Sequence, residues 1–178
     1  PGAGIIGAAG TAQPAFAALA NGILVNAADN DDTHKRALLH AGSVVVPVAL
    51  ALAQARGLSG RELIAALVAG YEVAVRVGMA VMPTHYRFWH STATNGTFGA
   101  AAAAARAMGL DADAAQRALG IAGTSAAGLN TFFESGDMTK SIHPGKAAML
   151  GILAAQMAGL GATSPPEILA HPKGYLAA

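Results

Sequence analysis

The chain has 178 residues, of which 53% are apolar and only 12% charged, with a net charge of +1, 22 glycines and no cysteine. That length fits one domain or a piece of a larger one. Without cysteine there are no disulfides, zinc–thiolate centres or cysteine-ligated iron–sulfur clusters, and a near-neutral chain without a basic stripe argues against nucleic acid as the main partner.

Aromatic residues make up 5% of the chain, so its core has to be built from Ala, Leu, Val, Ile and Gly. Residues 1–10 show no clear period and read as a loop or a cut helix. From Thr11 to Ala28 apolar residues recur at helical spacing, with Phe16, Leu19, Ile23 and Leu24 on one side and Pro14 in the first turn. An acidic loop follows. Ser43 is the expected N-cap of a helix through Arg56, with Pro47 near its first turn and Gly57 as its stop. Ser59-Gly-Arg-Glu62 forms a capping box that opens a long helix to about Met82. A loop from Pro83 to Trp89 leads to His90 and an alanine-rich helix opening at Thr92 to Asn95 and ending at Gly109.

Asp111 caps the next helix, to about Ile121, and Gly123 to Gly136 is a connection. Lys140 and His143 stand just before Pro144, from which a helix runs to about Ala158. Ser164 to Leu169 reads as a short capped helix. No alternating strand pattern appears, so the expected fold class is all-α, with about seven helices. Leu63 to Met82 is long enough to span a bilayer, but Glu72 and Arg76 form an i,i+4 pair that favours a helix outside lipid, and no membrane association is expected. No signal peptide is visible and the chain opens Pro-Gly-Ala, so a processed or truncated start is expected; the lack of cysteine is compatible with a reducing cytosol, and the expected location is cytoplasmic.

The stretch Asp29-Asn-Asp-Asp-Thr33-His-Lys-Arg-Ala-Leu-Leu-His40-Ala-Gly-Ser43 concentrates carboxylates, histidines and cations between two apolar helices. Such loops, held by rigid elements, commonly carry function. His40, His90, and Lys140 with His143 each precede a helix start. Helix N-termini offer unpaired N–H groups and the positive end of the dipole. If the three ends converge, they suit a small molecule bearing several carboxylates, with Asp29 available for proton transfer.

Two other readings fit less well. Asp29-Asn-Asp31-Asp-Thr33 matches the D-x-D-x-T of haloacid-dehalogenase-type phosphatases, but a helix rather than a strand precedes it. A calcium loop starting at Asp29 has His34 where glycine is needed and His40 where glutamate is needed. A metal held by His34, His40 and the acids matches no specific ligand spacing.

The same residues resemble the MmgE/PrpD family, which includes 2-methylcitrate dehydratase, cis-aconitate decarboxylase and iminodisuccinate epimerase. The resemblance rests on Asp29-Asn-Asp-Asp-Thr33 with His40-Ala-Gly-Ser43, Gly60-Arg-Glu-Leu with Ala69-Gly-Tyr-Glu72, and His90-Ser-Thr with Gly96-Thr-Phe-Gly99. Ala107-Met-Gly-Leu110-Asp, Ala118-Leu-Gly-Ile121-Ala and Met138-Thr-Lys140-Ser-Ile-His143-Pro-Gly continue it in order along nearly the whole chain.

It implies that residues 1–178 form the helical domain of a protein whose smaller α+β lid domain has no counterpart in this sequence. It further implies a homodimer that needs no metal or organic cofactor, and it marks Asp29, Thr33, His40, His90 and Lys140 as the active-site positions. His40-Ala-Gly stands where His-Pro is commoner. The expected activity is that of a cofactor-independent lyase on a small polycarboxylate, most like 2-methylcitrate dehydratase, with decarboxylation or epimerisation as alternatives. His90 is the candidate acid or base, with Asp29 and His40 as its partners; Lys140 would bind a substrate carboxylate and Thr33 would hydrogen-bond it. The competing expectation is a non-catalytic helical fragment or interaction module.

Overall fold

The computed structural model describes residues 2–178. Two very short strands, β1 (Ala3–Gly4) and β2 (Thr11–Ala12), pair antiparallel ahead of α1 (Pro14–Asn26), α2 (Ala41–Arg56), α3 (Gly60–Val81), α4 (Ser91–Met108), α5 (Ala112–Ser125), α6 (Phe132–Ser135) and α7 (Thr139–Gly159). Short 3-10 turns at Thr84–Arg87 and Tyr175–Ala177 complete the described residues. The all-α expectation holds.

The molecule is built around α4. Nearly every residue from Ser91 to Ala107 is buried, and α2, α3, α5 and α7 all pack on it. A helix apolar on every side belongs inside, and α4 meets that condition with Ala, Gly, Thr and one Phe. Two of its buried hydroxyls are satisfied within the helix: Thr94 Oγ1 donates to the His90 carbonyl at 3.3 Å and Thr97 Oγ1 to the Ala93 carbonyl at 2.7 Å. Small residues also set how near the neighbours come. A Cβ placed on Gly99 would stand 2.6 Å from the Ala74 Cβ and 2.8 Å from the Gly70 carbonyl oxygen, so α3 and α4 cross where neither can carry a side chain. One on Gly22 would stand 2.7 Å from the Gly145 Cα, which fixes the α1–α7 crossing in the same way.

Several local readings hold. Pro14 occupies the first turn of α1, and Gly57 and Gly109 end α2 and α4 in the left-handed conformation. Ser59 and Glu62 form the capping box of α3, and Asp111 caps α5 by accepting from the Ala114 N–H at 2.8 Å. α3 is long and apolar enough to cross a membrane by length and composition. In the fold it lies along α4, with Gly70, Ala74 and Gly78 inward and the Glu72–Arg76 pair outward at 2.6 Å.

Other readings are corrected. The buried face of α1 is Ala15, Ala17, Ala18, Asn21 and Gly22, while Phe16 is 59% and Leu24 53% exposed. The larger side chains were expected inward, but at the Gly22–Gly145 crossing with α7 the backbones approach too closely for a side chain on either glycine. α2 begins at Ala41, so Ser43 lies inside it and donates to the His40 carbonyl at 2.8 Å instead of capping. Pro47 and Pro144 both sit inside their helices, which begin upstream of them. α7 thus starts at Thr139, where the N–H donates to Asp137 Oδ1 at 2.8 Å, and Lys140 and His143 are helical residues rather than its approach. α5 continues to Ser125, past the expected end. Ser164 to Leu169 forms turns, not a helix, and residues 3–12 form the small hairpin.

Candidate functional site

The starts of α2, α4 and α7 carry the polar residues singled out above, and the loop between α1 and α2 reaches across to them. Asp29 sits just past α1 with a left-handed φ of 51°, a conformation Asp tolerates better than most residues. Its Oδ1 lies 2.5 Å from Lys140 Nζ on α7 and 3.7 Å from His40 Nε2. The Lys140 hydrogen bond, and then its charge, hold the Asp29 carboxyl below the ordinary carboxylate range despite partial burial.

His40 is the N-cap residue of α2. Its backbone N–H donates to Thr92 Oγ1 at 3.1 Å, tying the start of α2 to that of α4. Its ring Nδ1 lies 3.2 Å from both Thr33 Oγ1 and the Asp32 carbonyl, and 3.4 Å from Asp31 Oδ1. Asp29, Thr33, His40 and Lys140 therefore share one cluster by direct contact. His34, by contrast, turns its Nδ1 to accept from the Ala37 N–H within its own loop.

His90 is the N-cap residue of α4, and its ring is 2% exposed. Its backbone N–H donates to the Gly128 carbonyl at 2.9 Å, and Asn130 Nδ2 donates to the Tyr86 and Trp89 carbonyls at 2.6 and 3.1 Å. The connection before α6 thus clamps the loop that presents His90. The His90 Nδ1 lies 3.0 Å from the Nδ1 of His143, one turn beyond Lys140 on α7. Phe132 packs edge-on against both imidazoles, with centroids 5.0 and 5.8 Å away. Burial pushes His90 down to about 3, helped by the neighbouring His143, His40 and Lys140 and opposed by the Asp29 carboxylate. His90 is therefore neutral at physiological pH and close enough to feel the charged cluster.

The remaining acids of the loop have structural partners. Asp32 Oδ1 accepts from the Gly42 N–H at 2.9 Å and Oδ2 from Tyr71 Oη at 3.2 Å, so Asp32 fills the N-terminus of α2 that the sequence reading left open for a ligand. Asp31 accepts from Asn26 Nδ2 at 3.0 Å. Asp29, Asp31 and His40 bring three ligand atoms within 4.8 Å of one another. Lys140 already sets a positive charge against that group. One turn further along α4, a cavity of about 270 Å³ is lined by His85, Trp89, Thr94 and Tyr175. There His85 Nε2 lies 2.8 Å from Thr94 Oγ1, and Tyr175 Oη donates to Asn95 Oδ1 at 2.8 Å.

The sequence reading set His143 beside Lys140 at one of the three helix starts but gave it no role, and it did not name Asp31, Asp32, Asn130 or Phe132 as site residues. The spacing of Lys140 and His143 did contain a signal, since residues three apart share a helix face. It was hidden by starting that helix at Pro144.

The chain is thus a small-residue helical domain with a Lys–Asp–His cluster where three helix starts meet. Residues 1–178 match the MmgE/PrpD N-terminal domain, and the chain belongs to the MmgE/PrpD family. Cis-aconitate decarboxylase of Aspergillus terreus is 33% identical over 177 residues, covering 96% of this chain and 36% of that protein. Human cis-aconitate decarboxylase is 35% identical over 171 residues, covering 91% and 34%. A cis-aconitate decarboxylase-like protein of Aspergillus oryzae is 38% identical over 154 residues, covering 82% and 32%. The chain spans about a third of the length of these curated relatives.

Proposed function

We propose that this chain is the helical domain of a cofactor-independent lyase acting on a small polycarboxylate, and that the reaction is a decarboxylation of the cis-aconitate type. The observation that carries the polycarboxylate reading is the meeting of Lys140 and His40 on Asp29, with the start of α4, which His90 caps, tied to that of α2 through the His40 N–H and Thr92. The named relatives favour decarboxylation over the 2-methylcitrate dehydration placed first from sequence.

Losing CO2 from a carboxylate breaks one carbon–carbon bond and leaves its electron pair on the substrate. One proton must then reach carbon, so each turnover consumes a proton. Lys140 is paired with Asp29 and would exchange part of that contact for a substrate carboxylate. Thr33 and His40 would hold a second carboxylate. His90 is the proton carrier. A neutral imidazole has no spare proton to give, so the proton arrives with the polyanion, whose charges raise the proton affinity of His90. Dehydration would call on the same residue first as a base, which its neutral form suits equally.

The test is incubation of the protein with cis-aconitate, 2-methylcitrate and citrate, following CO2 release and water loss separately. CO2 release from cis-aconitate alone is the expected result; water loss from 2-methylcitrate would restore the dehydratase reading, and no turnover of any would favour a non-catalytic module. In an active preparation, His90→Asn should lower turnover roughly 10²–10⁴-fold with little change in KM. Lys140→Ala should instead raise KM strongly. Near-parental turnover in His90→Asn would pass proton transfer to Asp29 or His40.

A further inference from the structure

Two ring nitrogens 3.0 Å apart have room for one proton between them. Of His90 Nδ1 and His143 Nδ1, one donates and the other accepts, and the choice fixes what His90 can do with its other nitrogen. If His143 donates, the neutral His90 carries its own proton on Nε2, where it can offer an N–H but cannot receive a proton. If His143 accepts, His90 is the Nδ1–H tautomer, and its Nε2 lone pair can take a proton and pass it on.

We propose that His143 is the acceptor and therefore a positioning residue, holding His90 in the Nδ1–H form with Nε2 as the proton-transfer atom. This rests on the proton-carrying reading of His90 given above. Three observations support it. His90 and His143 are buried, 2% and 9% exposed, so water cannot replace the partner. Phe132 packs against both rings, which keeps either from swinging away. Finally, Lys140 stands on α7 one turn before His143, and its ammonium acts on His90 more strongly than the opposing Asp29 carboxylate does; a lone pair is favoured over an N–H beside such a charge. A carboxylate orients the imidazole of hydrolytic triads in the same way. Here a neutral ring does so, fixing the tautomer without adding a buried charge.

The test is nitrogen-15 NMR of the imidazole groups of the full chain at neutral pH, with His90 assigned by the signals lost in His90→Asn. The expected spectrum shows His90 protonated at Nδ1 and bare at Nε2; a proton on Nε2 overturns the proposal. His143→Asn can place an amide oxygen near the former Nδ1 and should keep both tautomer and turnover. His143→Phe keeps a ring but no acceptor. It should mix the tautomers and lower kcat roughly 10²-fold or more, with KM nearly unchanged. Equal losses in the two variants with an unchanged His90 tautomer would make His143 merely structural and overturn the proposal. Should His143→Phe fail to fold, the parent spectrum decides alone. The expected tautomer behaviour without turnover of any polycarboxylate would sink the lyase reading while leaving the positioning role; turnover with His90 as Nε2–H would do the reverse.

Discussion

His85, His90 and His143 are all pushed below the ordinary histidine range by burial, and this links the site to acid stability. A histidine whose folded-state pKa is depressed costs nothing above its unfolded value, because both states are then neutral. Below that value the unfolded chain binds the proton first, and the fold loses stability as pH falls until the folded pKa is reached. For His90 that window runs from 6.5 down to about 3. The expected loss from His90 alone between pH 7 and pH 5 is about 2 kcal/mol. Urea unfolding at the two pH values should show it, and His90→Asn should flatten the dependence; an equal slope in the variant would mean that His90 is not held neutral. Asp29 acts lower down. Its carboxyl is depressed by Lys140, so its contribution is present above the usual carboxylate range and disappears as pH falls through its folded value.

At the scale of elements, helices that bury alanine and glycine pack by backbone approach. Gly22 of α1 and Gly145 of α7 face each other, and the nearest atoms to an added Cβ on Gly22 are the Gly145 Cα at 2.7 Å, with the Gly145 nitrogen and the Ser43 carbonyl oxygen at 3.0 Å. These are main-chain atoms and cannot rotate away. Gly22→Ala should therefore destabilise by about 1–3 kcal/mol from overpacking, even though alanine is favoured over glycine in a helix by about 1 kcal/mol. A lower denaturation midpoint with unchanged m-value would be the expected outcome, whereas a stabilised variant would show that the α1–α7 crossing is looser than described. Because this crossing fixes α7 against the rest of the domain, it also governs where Lys140 and His143 stand.

For the whole molecule, apolar surface remains outside the core. Phe16 and Leu24 of α1, Ile64 and Val68 of α3, Phe133 beside the site and Leu160 at the end of α7, the last 89% exposed, all face outward. Extended apolar surface commonly marks an interface, and the self-association expected from sequence is proposed on that ground. Sedimentation at micromolar concentration should find a dimer or larger species; a stable monomer would count against it. The sequence by itself determined α1 to α5 and α7 in outline, the caps at Ser59 and Asp111, the glycine stops at Gly57 and Gly109 and the family, because these signals lie in local periodicity, in caps of four residues or fewer or in short motifs. Tertiary structure alone decided which face of α1 is buried, since in so alanine-rich a chain closeness of approach, rather than hydrophobicity, selects the inward side. It also decided that Asp32 caps α2 and that Lys140 is held by Asp29. The pairing of His90 with His143, 53 residues away, was likewise beyond the sequence: such contacts join residues whose only link is the packing of helices that no local pattern encodes.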